Sequence, residues 1–373
     1  MKKQLQILFL LITCIACKAN WKNNYSATVK SALSDSLLIK IDSHLNSYVN
    51  SGFSGVALIA DKNGIIFHKA YRAKEDNIDT STAFYIASNS KPFTAAAILQ
   101  LQEQGKLSVK DSIGKYFDGV PPEKRGITIH HLLTHTGGLD YCQCTDGATN
   151  KLTTIQAILD KKLQNDVGAK WSYQNENYHL LGFIIEKVSG LSYIDYINTK
   201  IIKPLNMTYT GFWGYEKDIP VTIAPLNDSI KAYPIYQNKF SNGLPKIDSV
   251  MPPGIFSTTG DLYKWTLALQ RREILSDSSI NASFRYYRNA FIRNTNDTII
   301  SYGYGWIPTM VNNRRINVFH GGREDWMMNN RIYILDNGFT IIVWAMDKFG
   351  PEHEAMASLL TKELVWALEK IKF

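Results

Sequence analysis

The alternation of hydrophobic and polar positions predicts two β-hairpins that lie near opposite ends of the chain. The first joins apolar runs at 55–60 and 65–68 through a turn that contains Asn63-Gly64, a pair that accepts positive φ. The second covers residues 331–345 and turns at Asn337-Gly338 in the same way. Each pattern indicates a pair of antiparallel strands.

Helical periodicity accompanies both hairpins. Apolar residues recur on one side of Asp35–Asn50, and they recur again between Pro351 and Ile371 at the end of the chain. Because a sheet must bury its apolar face against another layer, we expect both hairpins to join one antiparallel sheet that these helices flank. The predicted fold class is therefore α/β of the α+β type, with a sheet built from both chain ends and an inserted, mainly helical lobe.

Domain boundaries follow from that arrangement. We predict one domain over residues 35–373, whose α/β part comprises 35–105 and 303–373 and whose helical lobe comprises 106–302. Half of the twelve prolines fall within 220–253, so the lobe is expected to include a long irregular segment that walls a cleft.

The first residues have the features of an export signal. A basic start at Met1–Lys3 precedes an apolar run, Ile7–Ala16, that is too short for a permanent membrane span, and Cys17 follows it. We expect residues 1–17 to direct export to the periplasm or cell envelope, and residues 18–34 to form a linker. Cys17 resembles the lipidated cysteine of a bacterial lipoprotein signal, so membrane attachment through this residue and simple cleavage both stay open.

Composition and charge narrow the range of partners. The chain has a formal net charge of +8, but lysine and arginine are spread along it without a dense cluster, which predicts no nucleic-acid partner. No later segment approaches the ~20 apolar residues of a membrane span, so we expect the remainder to be soluble. None of these features encodes the oligomeric state.

Candidate chemistry begins at Ser88. The strand-like run Phe84–Ile86 ends just before it, and apolar residues from Phe93 follow a helical period up to Gly105. Lys91 lies one turn after the serine on the same helical face, so its amine can approach the hydroxyl. The helix start also offers backbone N–H groups that lack intrahelical acceptors and can stabilise an oxyanion.

The same Ser-x-x-Lys spacing recurs at Ser112–Lys115. There the serine is followed by Gly114 in a polar, loop-like stretch, whereas Ser88 opens a long apolar helix with a proline near its first turn. The sequence context therefore favours Ser88 as the nucleophile.

Two cysteines, Cys142 and Cys144, remain after the signal. A bridge between cysteines one residue apart is expected to be strained, and two cysteines form no disulfide framework. His131 and His135 precede them at i, i+4 spacing, so a zinc site made of two imidazoles and two thiolates is an alternative, although the spacing fits no common zinc module.

A series of motifs then resembles one known family along nearly the whole mature chain. In order they are IASNSKPFTA around Ser88, HLLTHTGGL from His131, WSYQNENYHLLGFIIEKVSG from Trp171, IIKPLNM before Thr208, PPGIFSTTGDLYKW, YGYGW, and HGG from His320. Together they resemble the serine β-lactamase and D-alanyl-D-alanine carboxypeptidase superfamily, specifically its class C-like branch. The resemblance gives HLLTHTGGL a structural role as packed helix and turn beside the site, which argues against zinc-binding or catalytic roles for its histidines.

The resemblance implies a catalytic set of three residues and one binding residue. Ser88 attacks the substrate carbonyl, and Lys91 and Tyr173 share the proton handling, because a serine hydroxyl is a poor nucleophile until a neighbour removes its proton. Either neighbour could be the base, since burial and nearby charge change both pKa values. Asn175 is expected to offer its amide to the substrate and to Lys91.

The resemblance also implies a substrate-binding strand. His320 takes the position of the lysine in the family's Lys-Thr-Gly triplet, Gly321 replaces its threonine, and Gly322 completes a place where a ligand backbone comes close. The backbone N–H groups of Ser88 and Arg323 would form the oxyanion hole. In penicillin-recognising relatives the threonine hydroxyl helps to bind a carboxylate, so its loss argues against efficient β-lactam turnover, and Arg323 is the candidate for a compensating contact.

The function implied is that of an exported serine hydrolase that cleaves an amide or ester through a Ser88 acyl-enzyme, without metal or organic cofactor. A D-amino-acid peptide of carboxypeptidase type and a small ester are the leading substrates, and a β-lactam ranks third. A sensor or binding protein that keeps the fold without turnover is the alternative from another class. A zinc-stabilised structural protein is a weaker alternative.

Overall fold

The structure is a computed structural model, and it describes residues 33–73, 78–142, 144, 148, 150–212, 240–241, 244–245, 254–295, 297–324, 328–346 and 356–370. The predicted export signal at 1–17 with Cys17, residues 18–32 of the predicted linker and most of the proline-rich stretch 220–253 lie outside the described residues.

An eight-stranded antiparallel sheet forms the centre of the structure, with the strand order β2-β1-β13-β12-β11-β10-β9-β8. A small second sheet has the order β3-β7-β4, and β5 pairs with β6. The strands are β1 Ser54–Asp61, β2 Gly64–Tyr71, β3 Phe84–Tyr85, β4 Gly211–Phe212, β5 Phe240–Ser241, β6 Leu244–Pro245, β7 Ile255–Ser257, β8 Phe291–Asn294, β9 Thr298–Ser301, β10 Ile307–Val311, β11 Arg314–Glu324, β12 Met328–Leu335 and β13 Thr340–Met346.

Both predicted hairpins are confirmed. In the β1–β2 turn, the Asp61 carboxylate accepts hydrogen bonds from the N–H groups of Asn63 at 2.7 Å and Gly64 at 3.1 Å. In the β12–β13 turn, Gly338 has a φ of +92°, a conformation that glycine adopts without steric cost. β1 pairs with β13 along its length, so the sheet is built from both chain ends as predicted.

The helices frame this sheet. They are α1 Asp35–Ser47, α2 Lys91–Glu103, α3 Ile129–Leu133, α4 Lys151–Asp160, α5 Asn175–Ser189, α6 Tyr193–Ile197, α7 Thr259–Arg271, α8 Asp277–Ser283 and α9 Met356–Leu368, with a π-helical turn, Asn198–Ile202, after α6. Ser34 caps α1 by accepting the N–H of Leu37. Within the part of the chain that the structure describes, none of the helices combines the length and the apolar character needed to cross a bilayer.

Two hydrophobic cores lie on opposite faces of the sheet, because successive side chains of a strand point to opposite sides. α1 and α9 cover one face, where Leu45 and Leu364 belong to the same buried cluster as Ile341 of β13. The other face belongs to a larger core that includes the lobe, and here Phe93 of α2 stacks on Trp265 of α7 with ring centroids 4.3 Å apart. The helix that follows the candidate nucleophile is therefore anchored in the main core.

The predicted limits of the helical lobe, 106–302, differ from the structure at their C-terminal end. β8 and β9 fall inside this interval, yet β9 pairs with β8 and β10 at the edge of the large sheet. Most side chains of these two edge strands are partly or fully exposed, so they lack the apolar alternation by which strands are recognised in a sequence. Conversely β3, predicted to lie in the α/β part, pairs with β7 of the lobe.

Candidate active site

Ser88 lies at the junction between β3 and α2. A 3-10 turn, Ala87–Ser90, carries it, and α2 begins at Lys91 with a proline in its first turn. Ala87 has a φ of +47°, which is uncommon for a residue other than glycine. Ser88 is partly exposed whereas its neighbours Ala87 and Asn89 are buried, so this serine is the residue that the turn presents at the surface.

The predicted catalytic residues meet around the serine hydroxyl. Lys91 Nζ donates to Ser88 Oγ at 3.0 Å, and the Tyr173 hydroxyl donates to the same oxygen at 2.8 Å. Lys91 Nζ also donates to Asn175 Oδ1 at 2.8 Å, which is the lysine–amide contact expected from the sequence. Asn175 is the first residue of α5, so the contact joins the starts of two helices.

Burial controls the charge state of this cluster. Lys91 is fully buried, and its Nζ lies 4.8 Å from the centre of the Tyr173 ring and 5.8 Å from that of Tyr178, where aromatic faces stabilise a cation. Burial raises the pKa of Tyr173 above its ordinary value, although the hydrogen bond to Ser88 acts in the opposite direction. Tyr173 is therefore a neutral phenol at physiological pH, which can donate a proton but not accept one.

His320 is placed beside the cluster on β11, but its ring is bonded inward. Its Nδ1 lies 2.9 Å from the carbonyl oxygen of Gly321, which can only accept, so Nδ1 carries the proton. Its Nε2, 2.8 Å from the Tyr302 hydroxyl, then accepts from that tyrosine. Burial, helped by the positive charge of Lys91, lowers the pKa of His320 to about 3. His320 is thus a neutral histidine whose two ring nitrogens are already engaged.

Beyond Phe319, the β10 side of β11 has no strand partner among the described residues. β10 pairs with β11 only as far as Phe319, so from His320 onward the described partner of β11 is β12 alone. Gly322 allows the serine-bearing turn to approach this strand, because a side chain there would overlap the carbonyl oxygen of Ile86. Asn330 Nδ2 also donates to that carbonyl at 3.3 Å.

An arginine that the sequence pattern assigned only to the start of a strand lies opposite Gly321. Arg331 is the cross-strand partner of Gly321, and its guanidinium occupies the space that a Gly321 side chain would need. Arg331 is close enough for its charge to contribute to the low pKa of His320. Arg323, the predicted compensating residue, is exposed on the same strand end. The Arg331 guanidinium therefore fills the space that a threonine side chain would take at position 321.

The structure joins the two cysteines, whose redox state the sequence leaves open. Cys142 and Cys144 form a disulfide whose Cα atoms are 5.0 Å apart, within the usual range for a bridge. Bonded sulfurs are not thiolates, so the zinc alternative fails. The neighbouring His131 instead caps α3, because its Nδ1 accepts the N–H of Thr128 at 3.1 Å and its own N–H donates to the Thr128 hydroxyl. Among the described residues, no group of three or more His, Cys, Asp or Glu side chains is arranged to hold a metal ion.

The contacts of three further residues near the site could not be predicted, because each contact joins separate segments of the chain. Tyr302 lies in the YGYGW motif, for which the sequence predicted no contact partner. It follows β9, and its hydroxyl forms a hydrogen bond with His320 of β11. The sequence pattern assigned Arg331 only to the start of a strand. Its charge beside an apolar run could have marked it as a candidate site residue. The ring of His135 packs against Tyr173, with centroids 4.4 Å apart.

A sheet made from both chain ends, with flanking helices and an inserted helical lobe, is the β-lactamase/transpeptidase fold, and its class C-like branch is a class of serine hydrolases. The family model described as "Beta-lactamase" matches residues 41–364, so the chain belongs to the β-lactamase family.

Individual relatives agree with this assignment. Penicillin-binding protein 4* of Bacillus subtilis (strain 168) is 29% identical over 330 residues, which cover 81% of this chain and 70% of that protein. The crystal structure of a penicillin binding protein from Bacillus halodurans has a TM-score of 0.67 at 23% identity, covering 87% of this chain and 100% of that chain. A D-amino acid amidase from Ochrobactrum anthropi SV3 gives 0.69 at 21%, covering 90% and 98%. At these identities the structural likeness establishes the fold.

From the buried, neutral histidines we predict that the free energy of unfolding decreases in mild acid. Burial lowers the pKa of His320 to about 3, that of His68 to about 4 and that of His135 well below its usual value. Because an unfolded histidine titrates near ~6.5, the unfolded chain binds more protons between these values, so the free energy of unfolding falls as pH drops from 7 to 5, by up to ~1.4 kcal/mol per pH unit for each histidine.

Urea denaturation at pH 7 and pH 5 measures this slope, above the range in which carboxylates titrate. His320→Asn removes one of the contributing groups and should give a shallower slope. An unfolding free energy that stays constant between the two pH values would contradict the charge states assigned to these rings.

Gly322 provides a test of the contact between the serine-bearing turn and β11. Gly322→Ala should lower the free energy of unfolding by ~1–3 kcal/mol, because the added methyl group overlaps the backbone carbonyl of Ile86. Gly321→Ala is the matched control, since its methyl group meets only the Arg331 side chain, which can move. Equal losses in urea denaturation would show that the close approach at Gly322 is not required.

Proposed function

We propose that the protein is an exported serine hydrolase that forms an acyl-enzyme on Ser88 and acts on D-amino-acid peptides of carboxypeptidase type. The observation that carries the proposal is the placement of Ser88 Oγ within hydrogen-bond distance of both Lys91 Nζ, at 3.0 Å, and the Tyr173 hydroxyl, at 2.8 Å. A serine with two proton-handling neighbours is the arrangement needed for nucleophilic attack.

The proposed reaction uses side chains, backbone N–H groups and water. Lys91, a cation at rest, first gives a proton to solvent. Ser88 Oγ then attacks the substrate carbonyl carbon while its own proton passes to the neutral amine of Lys91. The N–H groups of Ser88 and Arg323 stabilise the oxyanion. Tyr173 gives its proton to the leaving amine as the C–N bond breaks, and then recovers a proton from Lys91. Water repeats the sequence on the ester carbonyl and releases the acid.

The edge of β11 beyond Phe319 supports a peptide-like substrate. An extended backbone can pair with the strand beyond Phe319, where β10 no longer does so. The guanidinium of Arg331 fills the space beside Gly321, on the opposite sheet face from His320. At the edge of the strand it favours substrates with an anionic group, because arginine forms strong charge-assisted bonds with carboxylates. Neutral His320 supplies no such charge. A terminal carboxylate is what a carboxypeptidase substrate presents.

The location proposed for this reaction is the periplasm or cell envelope. The support is the basic and apolar start of the chain, with Cys17 as a possible site of lipid attachment. D-amino-acid peptides outside the cytoplasm fit this location. We infer no nucleic-acid partner, since the basic residues are not clustered.

Covalent labelling tests the nucleophile. We expect a fluorophosphonate, and separately a penicillin, to add one adduct each to the folded mature protein, and Ser88→Ala to abolish both adducts because the attacking oxygen is gone. Intact-protein mass spectrometry measures the result. Labelling by the fluorophosphonate alone would favour an esterase or another amidase, and no adduct from either reagent would favour the sensor alternative.

The second Ser-x-x-Lys provides a matched control for this experiment. The Ser112 hydroxyl donates to the Arg125 carbonyl at 2.7 Å, and Lys115 pairs with Asp111 instead of with the serine. Ser112→Ala should therefore keep full labelling. Loss of the adduct in Ser112→Ala would mean that Ser88 has been given the wrong role.

The carboxylate preference is tested with a D-alanyl-D-alanine peptide and its C-terminal amide. The wild type should favour the acid, and Arg331→Gln should reduce that preference ~10-fold or more through loss of a charged hydrogen bond, with turnover of the amide retained. Arg315→Gln is the control, because this residue of the neighbouring strand β11 pairs with Asp336 at 2.8 Å. A kcat/KM that falls equally for both substrates in Arg331→Gln would rule out carboxylate recognition.

A further inference from the structure

One buried histidine contacts every residue of the segment that carries the active-site tyrosine. The carbonyl oxygen of His135 accepts the N–H of Ser172 at 2.9 Å, and its ring packs on the ring of Tyr173 at 4.4 Å between centroids and 30° between planes. Its Nδ1 accepts the N–H of Gln174 at 3.3 Å. Residues 172, 173 and 174 thus each contact the same residue of another segment.

The backbone conformation of His135 makes these contacts possible. Its φ of +55° lies in the left-handed region, which a residue other than glycine adopts only when its surroundings hold it there. Here the carbonyl group and the ring of one residue both face the same segment. Such a conformation is costly, and it is often found in residues whose orientation matters at a functional site.

The hydrogen bonds also define the proton position on this ring. Because Nδ1 faces the N–H of Gln174, it acts as an acceptor and the proton of the neutral ring lies on Nε2. The side-chain amide of Asn177 reinforces this, since its Nδ2 lies 3.2 Å from both His135 Nδ1 and the Gln174 carbonyl. Nε2 is buried and has no hydrogen-bond partner among the described residues, and the Tyr302 ring crosses the imidazole at 83° with centroids 4.6 Å apart.

A charged His135 would not suit this place. Burial lowers its pKa well below the usual value, and the positive charge of Lys91 acts in the same direction. Protonation would remove the acceptor for Gln174 and add a second cation beside Lys91. The ring therefore acts as a neutral platform for Tyr173.

We propose that His135 is a positioning residue that holds the Tyr173 hydroxyl against Ser88, acting through the ring contact and the Gln174 hydrogen bond without touching the substrate. The inference rests on the proposed function, in which Tyr173 handles a proton for Ser88. It assigns His135 a role in reactivity beyond packing of the HLLTHTGGL segment.

The test is a double-mutant cycle on the rate of fluorophosphonate labelling of Ser88 in the full-length mature protein. His135→Phe keeps a ring but loses the Nδ1 acceptor, and it should slow labelling by up to ~100-fold, as expected when a reacting group is displaced by about 1 Å. In the Tyr173→Phe background the same change should add no more than ~2-fold, because there is no hydroxyl left to position.

His135→Asn keeps the test valid if the phenylalanine variant folds poorly. Asparagine tolerates positive φ, and its Oδ1 lies the same number of bonds from Cα as Nδ1, so it should restore part of the rate. Thermal melting identifies the temperatures at which each variant is folded.

Labelling rates that multiply in the double variant would overturn the proposal, because His135 would then act independently of Tyr173. A wild-type rate in folded His135→Phe would overturn it as well. The wild-type measurement separates this inference from the proposed function. Ser88-dependent labelling of the wild type tests the nucleophile, whereas the ratio of the variant rate to the wild-type rate tests the role of His135.

Discussion

A lysine side chain removed from solvent at the junction of α2 and α5 is the constraint on which the site depends. Burying an ammonium group is costly unless polar atoms surround it, and Lys91 is satisfied by Ser88 Oγ and Asn175 Oδ1 and by two aromatic faces. Its charge then helps to keep His135 and His320 neutral. One cation therefore organises a group of tyrosines and histidines that remain uncharged around the nucleophile.

Local signals were sufficient for much of the fold and for the residues of the cluster. Asn63-Gly64 and Asn337-Gly338 marked turns because asparagine and glycine tolerate positive φ, and the Ser88 helix was visible from its apolar period. The order of motifs placed Tyr173 and Asn175 near that serine, and the structure brings them there. The roles given to these residues, and export through Cys17, stay predictions.

The remaining features could not be inferred because they depend on approach in three dimensions. Whether His320 faces a substrate or bonds inward is decided by Tyr302, which reaches it from outside the strand. The guanidinium of Arg331 replaces a side chain at Gly321 only because the two residues are register partners. The sequence left the redox state of Cys142 and Cys144 open, and the mostly exposed strands β8 and β9 lack the alternation that identifies a strand.

The pairing of β1 with β13 also bears on how the molecule folds. Contacts between segments so far apart in sequence carry a large loop-closure entropy and form slowly, whereas the helices of the lobe depend on nearby residues. The central sheet cannot be completed until the last strand has been synthesised. Closure of the sheet therefore waits for β13, whatever the order in which the other elements form.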